Sequence, residues 1–143
     1  MPANTSPIFG LTPNLQTNGT TGMSQLVTLA ANDYTGIGAN NVLAFTAGSN
    51  GSFVQRLRFK PGGTNVASVA RIFINNGSTV GTATNNTFIG EISLPATTAI
   101  ATAATVDIDY PCNFALPAGF KIYWGLGTAV AAGWTCVAIG ADY

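Results

Sequence analysis

Residues Phe53–Lys60, FVQRLRFK, set apolar side chains among basic and amide ones with a period close to two. That period is the mark of a β-strand, because successive side chains point to opposite faces of a sheet. The reading places Phe53, Gln55, Leu57 and Phe59 on one face and Val54, Arg56, Arg58 and Lys60 on the other. Pro61-Gly62-Gly63 ends the strand.

The same pattern extends in both directions. Toward the N-terminus, Gln25–Ala30 and Asn41–Thr46 are apolar and β-branched runs, and the second is closed by the turn Gly48-Ser49-Asn50-Gly51. Toward the C-terminus come Ser68–Asn75, Thr87–Leu94, Thr105–Tyr110, Phe120–Leu126 and Trp134–Ile139. Asn76-Gly77 and Pro117-Ala118-Gly119 are turn signals between them. Ala96–Ala104 carries enough alanine for a helix, but its Thr and Ile residues and its lack of a cap predict an extended loop. Eight antiparallel strands and no helix predict an all-β chain: a sandwich of jelly-roll type, with a small barrel as a variant and an immunoglobulin-like sandwich as the alternative. The domain is expected over residues 26–143.

Residues 1–25 read differently. Three prolines and many Asn and Thr residues interrupt any period, and apolar side chains are scattered at Ile8, Phe9, Leu11 and Leu15. This predicts an extended N-terminal arm whose apolar residues dock, onto a neighbouring copy or another partner. The opening MPANTSPIFG lacks the basic and continuous apolar stretches of a secretory signal.

The 143 residues hold only five Lys+Arg and five Asp+Glu, no histidine and no net charge. Ala, Gly, Thr, Asn and Ser make up more than half of the chain. Without histidine there is no Ser-His-Asp or Cys-His machinery and no His-ligated zinc. Five cations balanced by five anions do not make the electropositive surface that nucleic-acid binding needs. The uncharged stretch Ile122–Ala141 is long enough to suggest a membrane span, but its glycines divide it into two buried strands. No nucleic-acid partner, membrane partner, cofactor or metal is expected. A near-neutral surface favours self-association.

A few residues are candidates for chemistry. Arg56, Arg58 and Lys60 hold three of the five cations on one strand face. They read either as a docking stripe for an acidic partner surface or as a solvated row paired across strands with Asp107 and Asp109. Asp107 and Asp109 have the spacing of a carboxylate pair, but nothing marks the cleft or raised pKa that glycoside hydrolysis needs. Glu91, alone in an apolar strand, reads as the partner of Arg71. Tyr123, Trp124 and Trp134 read either as core residues or as an aromatic platform for sugar. Cys112 and Cys136 are expected to be unpaired buried thiols.

Three stretches carry a family resemblance: KPGGTNVASVARIFINNG (Lys60–Gly77), ATNNTFIGEISLPATTAIATAA (Ala83–Ala104) and FALPAGFKIYWGLGTAVAAGWTCVAIGADY (Phe114–Tyr143). Their order of motifs resembles small structural proteins of tailed-bacteriophage virions, of the capsid decoration or head-attachment type. The resemblance covers about half of the chain and implies a β-sandwich on the virion, with no catalytic residues. It leads to the expectation of a capsid decoration (cement) protein that stabilises the head lattice. Such a protein would act as a homo-oligomer, most simply a trimer, against the major capsid protein on the capsid surface, after a period in the host cytoplasm during assembly. Ile8, Phe9, Leu11, Leu15, Arg56, Arg58 and Lys60 are then the docking residues. The alternative is a host-glycan or receptor-binding tip of a fibre or spike, using Tyr123, Trp124 or Trp134.

Overall fold

The computed structural model describes residues 10–17 and 26–143. Eight strands follow one another: β1 (Thr12–Thr17), β2 (Val42–Thr46), β3 (Ser52–Pro61), β4 (Ser68–Asn75), β5 (Asn86–Leu94), β6 (Ile108–Leu116), β7 (Lys121–Leu126) and β8 (Trp134–Asp142). A 3-10 turn at Ala83–Asn85 precedes β5. They form two four-stranded antiparallel sheets, in the orders β1-β8-β3-β6 and β2-β7-β4-β5. The pairs β1·β8, β2·β7, β3·β6 and β4·β5 nest inside one another, as in a long hairpin rolled up on itself. The pairs β3·β8 and β4·β7 complete each sheet. This is the jelly-roll arrangement, and it replaces the immunoglobulin alternative.

The core lies between the sheets. Val54, Leu57, Phe59, Cys136, Ala138 and Trp134 enter it from the first sheet, and Phe45, Ala70, Ile72, Ile122, Trp124 and Leu126 from the second. Phe59 meets Trp124 edge-on, with ring centroids 5.1 Å apart. Cys112 and Cys136 are free thiols; Cys136 is buried as expected, whereas Cys112 is only half-buried.

Three expectations are corrected. The first concerns the arm. Thr12–Thr17 is an edge strand paired residue by residue with β8, from Thr12 opposite Asp142 to Thr17 opposite Val137. A boundary at residue 25 therefore leaves one of the eight strands outside the domain. The strand was hidden because it places no apolar side chain in the core; its buried residues are Gln16 and Thr17. Gln16 uses its amide as a substitute backbone, donating to Thr46 O at 2.9 Å and accepting from Thr46 N at 3.0 Å. That clasp ties β1 to β2 in the opposite sheet.

The second concerns the run expected at Gln25–Ala30. Gln25 lies outside the described residues. The remainder makes one bridge to each sheet, Val27 to Trp134 and Ala30 to Leu126. A segment that crosses from one sheet to the other joins neither as a strand.

The third concerns β3. A bulge between Val54 and Arg56 shifts its register against both β6 and β8. Inside-facing residues are Ser52 and Val54 before the bulge and Leu57, Phe59 and Pro61 after it. Phe53 and Gln55 thus face outward with Arg56, Arg58 and Lys60, rather than inward with Leu57 and Phe59. An extra residue in one strand reverses the alternation beyond it.

Candidate interaction face

The two sheets present their outer faces differently. The outer face of β2-β7-β4-β5 is covered by the chain's own loop, Ala31–Asn41. Asp33 builds that loop: its carboxylate accepts from Thr35 N and Gly38 N, each at 2.8 Å, from Thr35 Oγ1 at 2.6 Å and from Asn41 Nδ2 at 2.8 Å. Partial burial opposes its ionisation, but these donors prevail and hold its pKa at about 2. Under the loop lies Arg71, with its guanidinium carbon 3.9 Å from the centre of the Tyr34 ring. Arg71 also donates to Tyr34 Oη at 2.8 Å, to Asn32 Oδ1 at 3.3 Å and to Glu91 Oε2 at 3.4 Å. The expected Arg71–Glu91 pair is therefore present. Phe73 is fully buried on this side, packed at a tilt against Phe88, which in turn meets Tyr34 edge-on. Gly125 lets the loop lie close, because a Cβ there would collide with Asn41 Oδ1 and stand 2.8 Å from Ala31 Cβ.

No segment of the described chain crosses the outer face of β1-β8-β3-β6 in this way. The register places Pro13 and Leu15 of β1, Val137, Ile139 and Ala141 of β8, Phe53 of β3 and Ala115 of β6 on this side. Leu15 is 54% exposed beside Ile139, and Phe53 sits between Ala141 and Ala115. These residues form the apolar half. The other half is a charged ladder in which Arg56, Arg58 and Lys60 run along β3 opposite Asp109 and Asp107 at β6. Arg58 grips Asp109 with two bonds, Nε to Oδ1 at 2.8 Å and Nη2 to Oδ2 at 3.0 Å. Lys60 Nζ lies 2.9 Å from Asp107 Oδ1 and donates to Thr105 O at 2.9 Å. The hydrogen bonds from Arg58 hold the Asp109 carboxyl below its ordinary pKa range.

The cross-strand pairing expected of Asp107 and Asp109 is thus found. As a carboxylate pair for hydrolysis, the arrangement does not suit Asp109 as the acid, since its pKa moves down rather than up. Burial pushes the Cys112 thiol up to about 11 and the Cys136 thiol well above its ordinary value, so neither is a ready thiolate.

The structure brings four of the expected docking residues onto one face: Leu15, Arg56, Arg58 and Lys60. Leu11 is 79% exposed just before β1. Ile8 and Phe9 lie outside the described residues. The aromatic platform is corrected. Trp124 and Trp134 are wholly inside the core and offer no face to a sugar. Tyr123 is half-buried on β7, paired with Phe73 and Leu43 on the loop-covered side. Sequence reasoning missed Phe53, Ile139 and Ala141 as surface residues. The bulge hid Phe53; Ile139 and Ala141 read as the end of a buried strand. Among the described residues, no helix is long and apolar enough to cross a membrane. No protein-family model, no curated protein and no solved structure matches the chain.

Proposed function

We propose that this chain is a structural protein of a tailed-bacteriophage virion: a capsid decoration protein that binds the head lattice through the outer face of β1-β8-β3-β6. The observation that supports a docking role is the contrast between the two outer faces. One has Arg71 and Phe73 roofed by the chain's own Ala31–Asn41 loop, with Tyr34 and Phe88 still partly exposed. The other keeps Leu15, Phe53 and Ile139 at the surface, bordered by a fixed charged ladder. An apolar centre with a polar margin is the usual division of a protein interface. The ladder is largely neutralised from within, so it sets orientation more than strength. The virion assignment rests on the motif resemblance of Lys60–Gly77, Ala83–Ala104 and Phe114–Tyr143.

In this reading the partner is the major capsid protein, and the chain acts as a homo-oligomer, with a trimer the simplest form. Repeated weak contacts on a lattice add up through avidity, so a modest face per copy suffices. The role is mechanical and needs no catalytic group. The test is to add the purified chain to capsids that lack it and to measure occupancy and capsid heat resistance. Saturable binding with a higher capsid melting temperature supports the proposal. No binding, or binding without change in heat resistance, speaks against it.

A further inference from the structure

At the junction of the apolar and charged halves, the sheet is irregular in both neighbouring strands. The register of β3 shifts between Val54 and Arg56 against β6 as well as β8. On β6, Asn113 adopts a left-handed backbone with φ of 51°, which asparagine tolerates better than most residues. These departures surround an open depression of about 380 Å³ lined by Gln55, Arg56, Asp109, Pro111 and Asn113. Bulges often re-aim side chains at binding sites.

The electrostatics of the depression are unbalanced at one residue. The ladder has three cations and two carboxylates. Arg58 takes both oxygens of Asp109, and Lys60 takes Asp107. Arg56 has the weakest pairing of the three. Its Nε forms an ion pair with Asp109 Oδ2 at 3.8 Å, too long for a hydrogen bond, and that buried atom has no hydrogen-bond partner. A buried donor without an acceptor costs free energy that an incoming acceptor recovers.

Building on the proposed docking face, we infer that this depression is a socket for a carboxylate side chain of the partner protein. The carboxylate would accept from the Arg56 guanidinium, with the Gln55 and Asn113 amides as flanking donors and the Pro111 ring as an apolar wall. The bond is charge-assisted, which favours an acid over a neutral amide. Arg58 and Lys60, already engaged, keep the socket in shape rather than compete for the ligand.

The experiment uses the whole chain and a small probe. Isotope-labelled protein is titrated with N-acetylglutamate N-methylamide into the millimolar range, and the Arg56 Nε–H and the Gln55 and Asn113 side-chain amide resonances are followed by NMR. The glutamine analogue and glucose serve as neutral probes. The socket predicts saturable shifts with the glutamate probe, weakened by added salt, and loss of the amide shifts in Arg56→Gln. Lys121→Gln, which removes a cation from β7 in the opposite sheet, should retain binding, and melting curves verify that both variants are folded. No shift with glutamate, equal shifts in Arg56→Gln, or equal shifts with either neutral probe would overturn the inference. Failure of the probe alongside normal capsid binding removes the socket and leaves the docking face standing. Loss of capsid binding with a responsive probe does the reverse.

Discussion

The side-chain amide of Gln16 bonds the backbone of Thr46 in both directions, as a neighbouring strand would. The two residues belong to edge strands of opposite sheets, so the contact closes one side of the sandwich. It reinforces the backbone ladder with β8 that holds β1, which places no residue in the apolar core.

Gln16→Ala leaves the Thr46 N–H and C=O without this partner. The expected loss is about 1–3 kcal/mol, from two hydrogen bonds and the cost of unpaired backbone groups. Gln16→Glu keeps the size but removes the donor, and it should lose a comparable amount. Thermal unfolding measures both, with a Tm lower by several degrees. A Tm equal to that of the parent would show that the clasp contributes nothing.

Asp33 should make the Ala31–Asn41 loop sensitive to acid. Its folded pKa is lowered from 3.8 to about 2, so its stabilising effect is fully present above pH 3.8 and disappears as pH falls toward 2. The Thr35 and Gly38 amide resonances should therefore titrate with a midpoint at about 2. Asp33→Asn should abolish that titration and loosen the packing of Tyr34 on Arg71. A midpoint at the ordinary aspartate value would mean that the loop bonds do not form in solution.

Trp124 and Trp134 should behave as core residues. Trp124→Ala removes the ring that packs against Phe59 and is expected to cost ~3–5 kcal/mol. That approaches the whole stability of a typical domain. In the intact protein, tryptophan emission should be blue-shifted and poorly quenched by acrylamide. Ready quenching, or glycan binding that depends on either residue, would restore the platform reading.

Much of this fold was legible because burial imposes a period. The apolar and β-branched runs of β4, β5, β7 and β8, bounded by turn residues, marked those strands to within a residue or two at most ends. The Arg58–Asp109 and Arg71–Glu91 pairs followed from charges spaced along strands that turned out to be neighbours. The failures share a cause, which is that the relevant bonds leave no apolar period. Thr12–Thr17 is held by a backbone ladder and by the side-chain amides of Asn14 and Gln16. The run expected at Thr105–Tyr110 is β6, which continues through Pro111 to Leu116, and an edge strand can accommodate a proline where its missing N–H faces away from the ladder. The bulge in β3 reversed the inferred direction of Phe53 and Val54. The loop over Arg71 depends on Asp33, whose four bonds are visible only in three dimensions.

The contrast between the covered and uncovered faces is tested most directly by binding to empty capsids built from the major capsid protein of the same genome. Leu15→Asp and Phe53→Asp, on the open face, should abolish co-sedimentation with those capsids while keeping a folded sandwich. Tyr34→Ser, on the covered face, should bind as the parent does. Capsid binding that survives both open-face changes, or that is lost only in Tyr34→Ser, would contradict the account.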